Sequence, residues 1–209
     1  SDNYGVLIRD EESGRVACVD AGEPNAVLNA LEVTGWTLSE LWITHWHHDH
    51  TDGVETVRRE TGCQVIGPAY KGGREIAYDR RLEGGDRFAF GSLTVRALHT
   101  PGHTHDMINY LSEEPATLFA GDTLFAMGCG RVFEGTHQEM YESRVKLRAL
   151  SPETVLYAGH EYTQSNARFA VSVDPANEVL LARADAVDSR RADGQPTLPS
   201  TLAEEFATN

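Results

Sequence analysis

Residues 44–50 read Thr-His-Trp-His-His-Asp-His, and this stretch decides how the rest of the chain is interpreted. Alternation along an extended segment places His45 and His47 on the same side, where both can converge on one ion. Asp49 and His50 then fall at the following turn, within reach of a second ion. Histidine is the commonest transition-metal ligand near neutral pH, and carboxylate is its usual hard partner. The stretch therefore predicts a metal centre; the alternative is a histidine-rich surface loop.

Three further ligand-type residues occur in matching contexts along the chain. His103 lies in Thr-Pro-Gly-His-Thr, Asp122 in Ala-Gly-Asp-Thr and His160 in Ala-Gly-His-Glu-Tyr. Each follows a predicted strand and sits beside a glycine, where the backbone can turn tightly and present a side chain from a rim. Taken singly, each residue is more simply explained as a capped turn or a loop histidine. Together with residues 44–50, the three favour one metal site over coincidence.

The order T-H-x-H-x-D-H, P-G-H-T, G-D-T-L-F and G-H-E-Y-T resembles the metallo-β-lactamase superfamily. The resemblance implies the fold class α+β, as a four-layer αββα sandwich with the site at one edge of the paired sheets. Periodicity alone indicates only an α+β body. By the resemblance, the ligands of metal 1 are His45, His47 and His103. The ligands of metal 2 are Asp49, His50 and His160, and Asp122 bridges the two ions. Four other histidines match no ligand position: His48, His99, His105 and His137.

Within that superfamily, the chain is similar to the glyoxalase II (hydroxyacylglutathione hydrolase) family over nearly its whole length. The similarity rests on residues 121–125 (GDTLF), 128–135 (GCGRVFEG), 159–163 (GHEYT) and 198–201 (LPST). It implies that Arg131 helps to bind glutathione and that Tyr162 lines the same pocket. Phe133 stands where many members have tyrosine. For Arg131, the alternative is an ordinary solvated arginine after a glycine-rich turn.

The resemblance also implies the reaction, which is hydrolysis of S-(2-hydroxyacyl)glutathione thioesters, such as S-D-lactoylglutathione to glutathione and D-lactate. Two cations lower the pKa of a bridging water, and the resulting hydroxide attacks the thioester carbonyl. Asp49 and Asp122 are the expected catalytic carboxylates. Because a thiol has a pKa of about 8.5, it leaves readily and no separate general acid is required. We expect two divalent metal ions, with zinc favoured over iron or manganese.

Two other interpretations stay open at this point. One is a different enzyme on the same fold, such as a mono-iron persulfide dioxygenase, a lactonase or a β-lactamase. The dioxygenases share the T-H-x-H-x-D-H stretch but lack matches to residues 128–135 and to the helical C-terminal part. The other interpretation is a non-catalytic metal-binding module, which requires that one or more ligands be lost, whereas all seven positions are filled here.

The charge balance narrows the choice of partners. The chain has 209 residues, with 18 basic against 32 acidic side chains and a formal net charge of −14, which argues against a nucleic-acid or anionic membrane surface. No apolar run is long enough to cross a bilayer. The three cysteines, Cys18, Cys63 and Cys129, are odd in number and widely spaced, which suits a reducing, cytoplasmic setting. We expect a monomer that acts on a small glutathione thioester.

Short strand patterns alternate with helical patterns over residues 1–161, the predicted catalytic domain. Strands are expected over 5–9, 15–20, 41–44, 64–66, 108–111, 117–120 and 154–158, with a hairpin over 86–98. Helices are expected over 24–35, 53–61 and 137–150, the last opened by a Thr136–Glu139 capping box. Beyond Glu161 only helices are expected, over 162–173 and 176–192, so that 162–209 is predicted to be a small helical region.

Members of the family usually continue past the position of Asn209 into Pro-Phe, followed by an arginine and a lysine that grip glutathione. They usually also have a strand before the position of Ser1-Asp2-Asn3-Tyr4. The helical region is therefore expected to be incomplete relative to the family, either as a fragment or as a naturally short form. On this expectation, glutathione thioesters bind weakly while the metal chemistry is retained.

Overall fold

Two β-sheets stack face to face and carry helices on their outer faces. The computed structural model describes residues 2–209; Ser1, the first residue of the predicted catalytic domain, lies outside the described residues. The layers run helix, sheet, sheet, helix. This arrangement confirms the predicted αββα sandwich of class α+β.

The first sheet has five strands in the order β1-β2-β3-β4-β5. β1 pairs antiparallel with β2, whereas β2 to β5 are parallel to one another. Parallel neighbours need crossover connections, and the helices α1 and α3 supply two of them, while α2 is a single turn. The strands are β1 (Val6–Arg9), β2 (Val16–Val19), β3 (Glu40–Trp42), β4 (Gln64–Pro68) and β5 (Arg80–Leu82). The helices are α1 (Pro24–Thr34), α2 (His48–Thr51) and α3 (Val54–Thr61).

The second sheet has six strands in the order β13-β12-β9-β8-β7-β6. Only β9 and β12 pair in parallel, and the other neighbours are antiparallel. The strands are β6 (Arg87–Phe90), β7 (Leu93–His99), β8 (Ile108–Ser112), β9 (Thr117–Phe119), β12 (Val155–Tyr157) and β13 (Ser200–Thr201). A separate hairpin joins β10 (Leu124–Phe125) to β11 (Gly128–Cys129). β6 and β7 form the predicted hairpin, in which the φ of 60° at Gly91 suits the tight turn.

The remaining helices are α4 (His137–Arg148), α5 (Thr163–Val173), α6 (Glu178–Ala192) and α7 (Leu202–Thr208). α4 begins with the predicted capping box, in which the Thr136 hydroxyl accepts from the Glu139 N–H and the Glu139 carboxylate accepts from the Thr136 N–H. No helix within residues 2–209 combines the length and the apolar character that crossing a bilayer requires.

The expectation that no strand follows Glu161 is wrong. Ser200 and Thr201 form β13, which pairs antiparallel with β12 at the edge of the second sheet. Two residues are too few to give a periodic pattern, and the pairing joins segments more than forty residues apart, so local sequence carries little signal for it. The division of the chain at residues 161 and 162 stays a prediction.

Three apolar layers hold the sandwich together. Between the sheets, the ring of Trp42 meets Phe88 and Phe90 edge-on at 5.4 and 5.0 Å and stacks on Tyr110 at 5.4 Å. Burying a large apolar side chain of this kind contributes about 1.5–3 kcal/mol. Outside the first sheet, α1 and α3 bury their apolar faces; outside the second sheet, α4 and α7 contribute buried leucines. These layers fix the strand ends that carry the site.

Candidate metal centre

Loops at the ends of four strands deliver the predicted ligands to one edge of the sandwich. The segment after β3 carries His45 and His47 and then turns into α2, which contains Asp49 and His50. The other three follow β7, β9 and β12 and are His103, Asp122 and His160. Five of the seven side chains are buried, while His47 is half-buried and Asp49 is exposed.

One group of ligand atoms comes from the three histidines predicted for metal 1. Nδ1 of His47 lies 3.1 Å from Nε2 of His45 and 3.0 Å from Nε2 of His103. All three ligand atoms lie within 4.8 Å of one another. A single ion can therefore bind them together.

A second group comes from the residues predicted for metal 2. Nε2 of His160 lies 3.3 Å from Nε2 of His50 and 3.3 Å from Oδ2 of Asp49. Asp122 lies between the two groups: its Oδ2 is 3.4 Å from His103 Nε2 and 3.2 Å from His160 Nε2, and its Oδ1 is 3.4 Å from His50 Nε2. The structure thus brings all seven predicted ligands together, with Asp122 in contact with both groups.

The donor set fits divalent cations. Nitrogen atoms of different imidazoles approach one another at 3.0–3.3 Å, although two ring nitrogens that both carry lone pairs gain nothing from such contacts by themselves. Oδ1 of Asp122 is buried without a hydrogen-bond partner. An orphaned carboxylate oxygen among converging imidazoles is costly unless something positive binds there. Five imidazoles and two carboxylates suit zinc, iron or manganese.

Burial and neighbouring charges shift the pKa values of the predicted ligands. Burial lowers the pKa of His45, His47 and His103, which keeps these imidazoles neutral as metal ligation requires. Burial would also lower the pKa of His160, but hydrogen bonds with Asp122 and Asp49 outweigh it and raise that pKa to about 10.

Both carboxylates keep a lowered pKa. A hydrogen bond with His160 is the main cause at Asp49. At Asp122, burial acts in the opposite direction but is outweighed by His160 and the other histidines. The centre therefore attracts positive charge, whether it comes from protons or from metal ions.

Asp20 is a residue of the site that the sequence interpretation missed. Its Oδ2 accepts hydrogen bonds from Nδ1 of His50 and from the Thr44 hydroxyl, both at 2.8 Å, and its Oδ1 accepts from the Thr44 N–H at 2.8 Å. Asp20 directly follows β2 and adopts a φ of 58°. A partner on Nδ1 leaves Nε2 of His50 as the nitrogen that faces a metal ion. The one available signal was a carboxylate at a strand end before Ala-Gly.

Close packing against the predicted ligands explains why residue 159, just before His160, is a glycine. A Cβ at this position would lie 2.3 Å from Oδ1 of Asp122 and 2.9 Å from Cε1 of His50. Backbone can approach the ligands this closely only without a side chain.

A cavity of about 760 Å³ opens over the predicted ligands, and the three residues predicted to bind substrate line it. The ring of Tyr162 stacks parallel to His160 at 4.6 Å. The exposed ring of Phe133 lies 5.7 Å from His47 and 5.3 Å from His103. Arg131 is exposed, and its carbonyl accepts a hydrogen bond from Nδ1 of His103 at 2.8 Å. Cys129 also lines this cavity.

Comparison with known proteins identifies the family. Residues 3–160 match the family model of the metallo-beta-lactamase superfamily, and residues 161–209 match that of the hydroxyacylglutathione hydrolase C-terminus. Hydroxyacylglutathione hydrolases of Brucella ovis and Brucella abortus are each 49% identical to this chain over 209 residues, which is 100% of this chain and 81% of each relative. This chain belongs to the hydroxyacylglutathione hydrolase family.

This member of the hydroxyacylglutathione hydrolase family also superposes on solved structures. ETHE1 from Myxococcus xanthus superposes with a TM-score of 0.75 at 27% identity, covering 100% of this chain and 79% of that chain. A second protein, TTHA1623, was solved in a di-iron-bound form and superposes with a TM-score of 0.70 at 22% identity, covering 98% of this chain and 92% of that chain. At that identity the second likeness shows the fold alone.

The four histidines without a predicted ligand role lie outside the groups of ligand atoms. His48 is exposed and bonds through Nδ1 to Asp52 at 2.9 Å. His99 stacks on Tyr70 at 3.7 Å, and its Nε2 lies 2.9 Å from the carbonyl of His105. His137 is the first residue of α4.

Proposed function

We propose that this chain hydrolyses S-(2-hydroxyacyl)glutathione thioesters, converting S-D-lactoylglutathione to glutathione and D-lactate, with two divalent cations at the centre. The observation that carries the proposal is the position of Asp122, whose two carboxylate oxygens contact histidines of both ligand groups beneath an open cavity. The relatives named hydroxyacylglutathione hydrolase support the substrate class.

Each of the two groups of ligand atoms would bind one ion. His45, His47 and His103 would hold one ion, Asp49, His50 and His160 would hold the other, and Asp122 would bind both. When bound, such cations lower the pKa of a coordinated water and polarise a carbonyl oxygen. Zinc is the first choice, with iron and manganese as alternatives.

The chain's own residues prepare the centre for this chemistry. Arg131 O accepts from Nδ1 of His103, and Asp20 accepts from Nδ1 of His50, so both imidazoles present Nε2 to the ligand groups. Asp49 and Asp122 stay ionised because their pKa values are lowered. The centre therefore needs little rearrangement when substrate arrives.

The cavity walls suit the glutathione portion of the substrate. Arg131 offers a cation for a glutathione carboxylate, and Tyr162 and Phe133 offer aromatic surface for the peptide portion. The leaving group is a thiolate with a parent pKa of about 8.5, so the reaction needs no proton donor from the protein.

The proposal is tested by metal analysis together with an assay. Protein purified without chelator should contain close to two ions per chain and should hydrolyse S-D-lactoylglutathione. Asp122→Ala should remove that activity by orders of magnitude, because both ligand groups depend on this carboxylate. His48→Ala, which changes an exposed histidine outside the groups, should stay active. Near-normal turnover in Asp122→Ala would overturn the proposal.

A further inference from the structure

Trp46 forms a wall of the catalytic cavity and belongs neither to the predicted metal ligands nor to the predicted glutathione contacts. It lies between two ligands in the sequence, and its ring lies 4.7 Å from that of His47. On the opposite side of the centre, the cavity is lined by Tyr162 together with Phe125, whose ring meets Tyr162 at 5.4 Å. Trp46 therefore lies beside the metal 1 ligands, away from the Tyr162 wall.

The indole of Trp46 is held in place from two directions. Its Nε1–H donates to Oε1 of Glu134 at 2.9 Å, and Oε2 of the same carboxylate accepts from the His105 N–H at 2.8 Å. Behind the ring lies the backbone of two glycines. A Cβ at Gly72 would approach the indole to 2.5 Å, and one at Gly73 would approach it to 2.7 Å. The ring can neither tilt without losing its hydrogen bond nor retreat from the cavity.

We propose that Trp46 is a specificity-determining residue that limits the size of the acyl group accepted beside metal 1. The inference rests on the proposed function. Arg131 and Tyr162 take the glutathione portion, so the acyl group, on the other side of the thioester carbonyl, is assigned to the metal 1 side of the cavity, which Trp46 and Glu134 line. A fixed indole there leaves room for a small acyl group such as lactoyl and excludes a bulky one.

The expected change in acyl preference follows from how well apolar pockets discriminate between substrates of different size. A pocket distinguishes substrates that differ by a methylene by about 10- to 200-fold, because a rigid wall cannot relax around the extra atoms. Glu134 and the two glycines supply that rigidity. Removing the indole, or pushing it further into the cavity, should therefore shift acyl preference in opposite directions.

Three variants test this, each assayed with S-D-lactoylglutathione and the phenyl-bearing S-D-mandeloylglutathione. Trp46→Ala should raise the ratio of kcat/KM for mandeloyl over lactoyl by about tenfold or more. Trp46→Phe, which keeps more of the packing, should raise it less. Gly73→Ala should lower the ratio, since its methyl meets the indole at under 3 Å. Tyr162→Ala is the matched control, because it removes an aromatic wall on the metal 2 side that is assigned to glutathione and should affect both thioesters alike.

The outcomes separate the inference from the proposed function. If lactoylglutathione is hydrolysed and the ratio is unchanged in the Trp46 variants, each with two metal ions per chain, the role of Trp46 is wrong while the proposed function stands. If the unaltered protein hydrolyses neither thioester, the proposed function fails and the inference fails with it. A raised ratio in Trp46→Phe supports the inference even where Trp46→Ala does not fold.

Discussion

Asp20 and His50 are thirty residues apart in the chain, yet Oδ2 of Asp20 lies 2.8 Å from Nδ1 of His50 and both side chains are buried. The carboxylate orients the imidazole and raises its basicity as a ligand. Asp20→Asn is the informative change, because asparagine tolerates the positive φ at this position and preserves the shape of the side chain. We expect affinity for metal 2 to fall by about 10- to 100-fold.

Competition with a chromophoric chelator measures that affinity. Asp52→Asn is the matched control: it changes a surface carboxylate that pairs with His48 and Arg74, outside the ligand groups. Equal metal affinity in Asp20→Asn and Asp52→Asn would show that Asp20 has no positioning role.

Gly159→Ala tests the close approach of backbone to ligands. The new methyl would lie 2.3 Å from Oδ1 of Asp122, so the bridging carboxylate must move. We expect loss of one or both ions and a fall in thioesterase activity of at least about tenfold, since small displacements of catalytic groups have large effects on rate. Gly5→Ala is the control, because its methyl would meet only the Asp20 carbonyl at an ordinary 3.8 Å. Full metal content and activity in Gly159→Ala would contradict this account.

The sequence predicted a set of candidate metal ligands because their signal is local. T-H-x-H-x-D-H concentrates ligands in one short stretch, and His103, Asp122 and His160 stand in short glycine-containing motifs. The structure brings these side chains together. The strand β13 was missed because it is short and its pairing is long-range.

Asp20 and Trp46 were missed for a related reason. The role of Asp20 depends on a contact with His50, and that of Trp46 depends on Glu134, which is 88 residues away. A lone aspartate at a strand end, or a tryptophan between ligands, has no distinguishing pattern. Such roles depend on which loops the fold places side by side.

The pH dependence of stability should differ between metal-free and metal-loaded protein. Without metal, burial lowers the pKa of His160, but hydrogen bonds with Asp122 and Asp49 outweigh this effect. They raise the pKa to about 10, above the value of about 6.5 in an unfolded chain. A raised histidine pKa contributes stability that is fully present below pH 6.5 and is lost as the pH rises through 10. The pKa of His50 is also raised, since the charge of Asp20 outweighs its burial.

We therefore expect the Tm of chelator-treated protein to fall from pH 7 to pH 10. The loaded protein should change less over this range, because its ligand histidines carry no proton to lose. Differential scanning calorimetry of both forms in matched buffers measures the difference, and other titrating groups cancel because they are common to both. Parallel Tm curves for the two forms would refute the expectation.

Arg131 should supply the cation that binds a glutathione carboxylate. The chain carries a net charge of −14, and among the described residues that line the cavity Arg131 alone is a lysine or arginine. A glutathione carboxylate must find its cation locally, and a charge-assisted hydrogen bond is worth about 1.5–3 kcal/mol. Arg131→Ala leaves the backbone carbonyl that holds His103, so the metal centre should be unaffected.

Loss of that contact should therefore appear as a rise in KM for S-D-lactoylglutathione of about tenfold or more, with kcat nearly unchanged. The KM of Arg131→Lys should lie between that of the unaltered protein and that of Arg131→Ala, because a lysine keeps the charge but not the planar fork of the guanidinium group. Arg59→Ala, on the exposed face of α3, is the control and should leave KM as it is. Raising the salt concentration should also increase KM of the unaltered protein more than that of Arg131→Ala, since screening acts on the contact that the variant lacks. Unchanged KM and unchanged salt response in Arg131→Ala would remove Arg131 from the glutathione site.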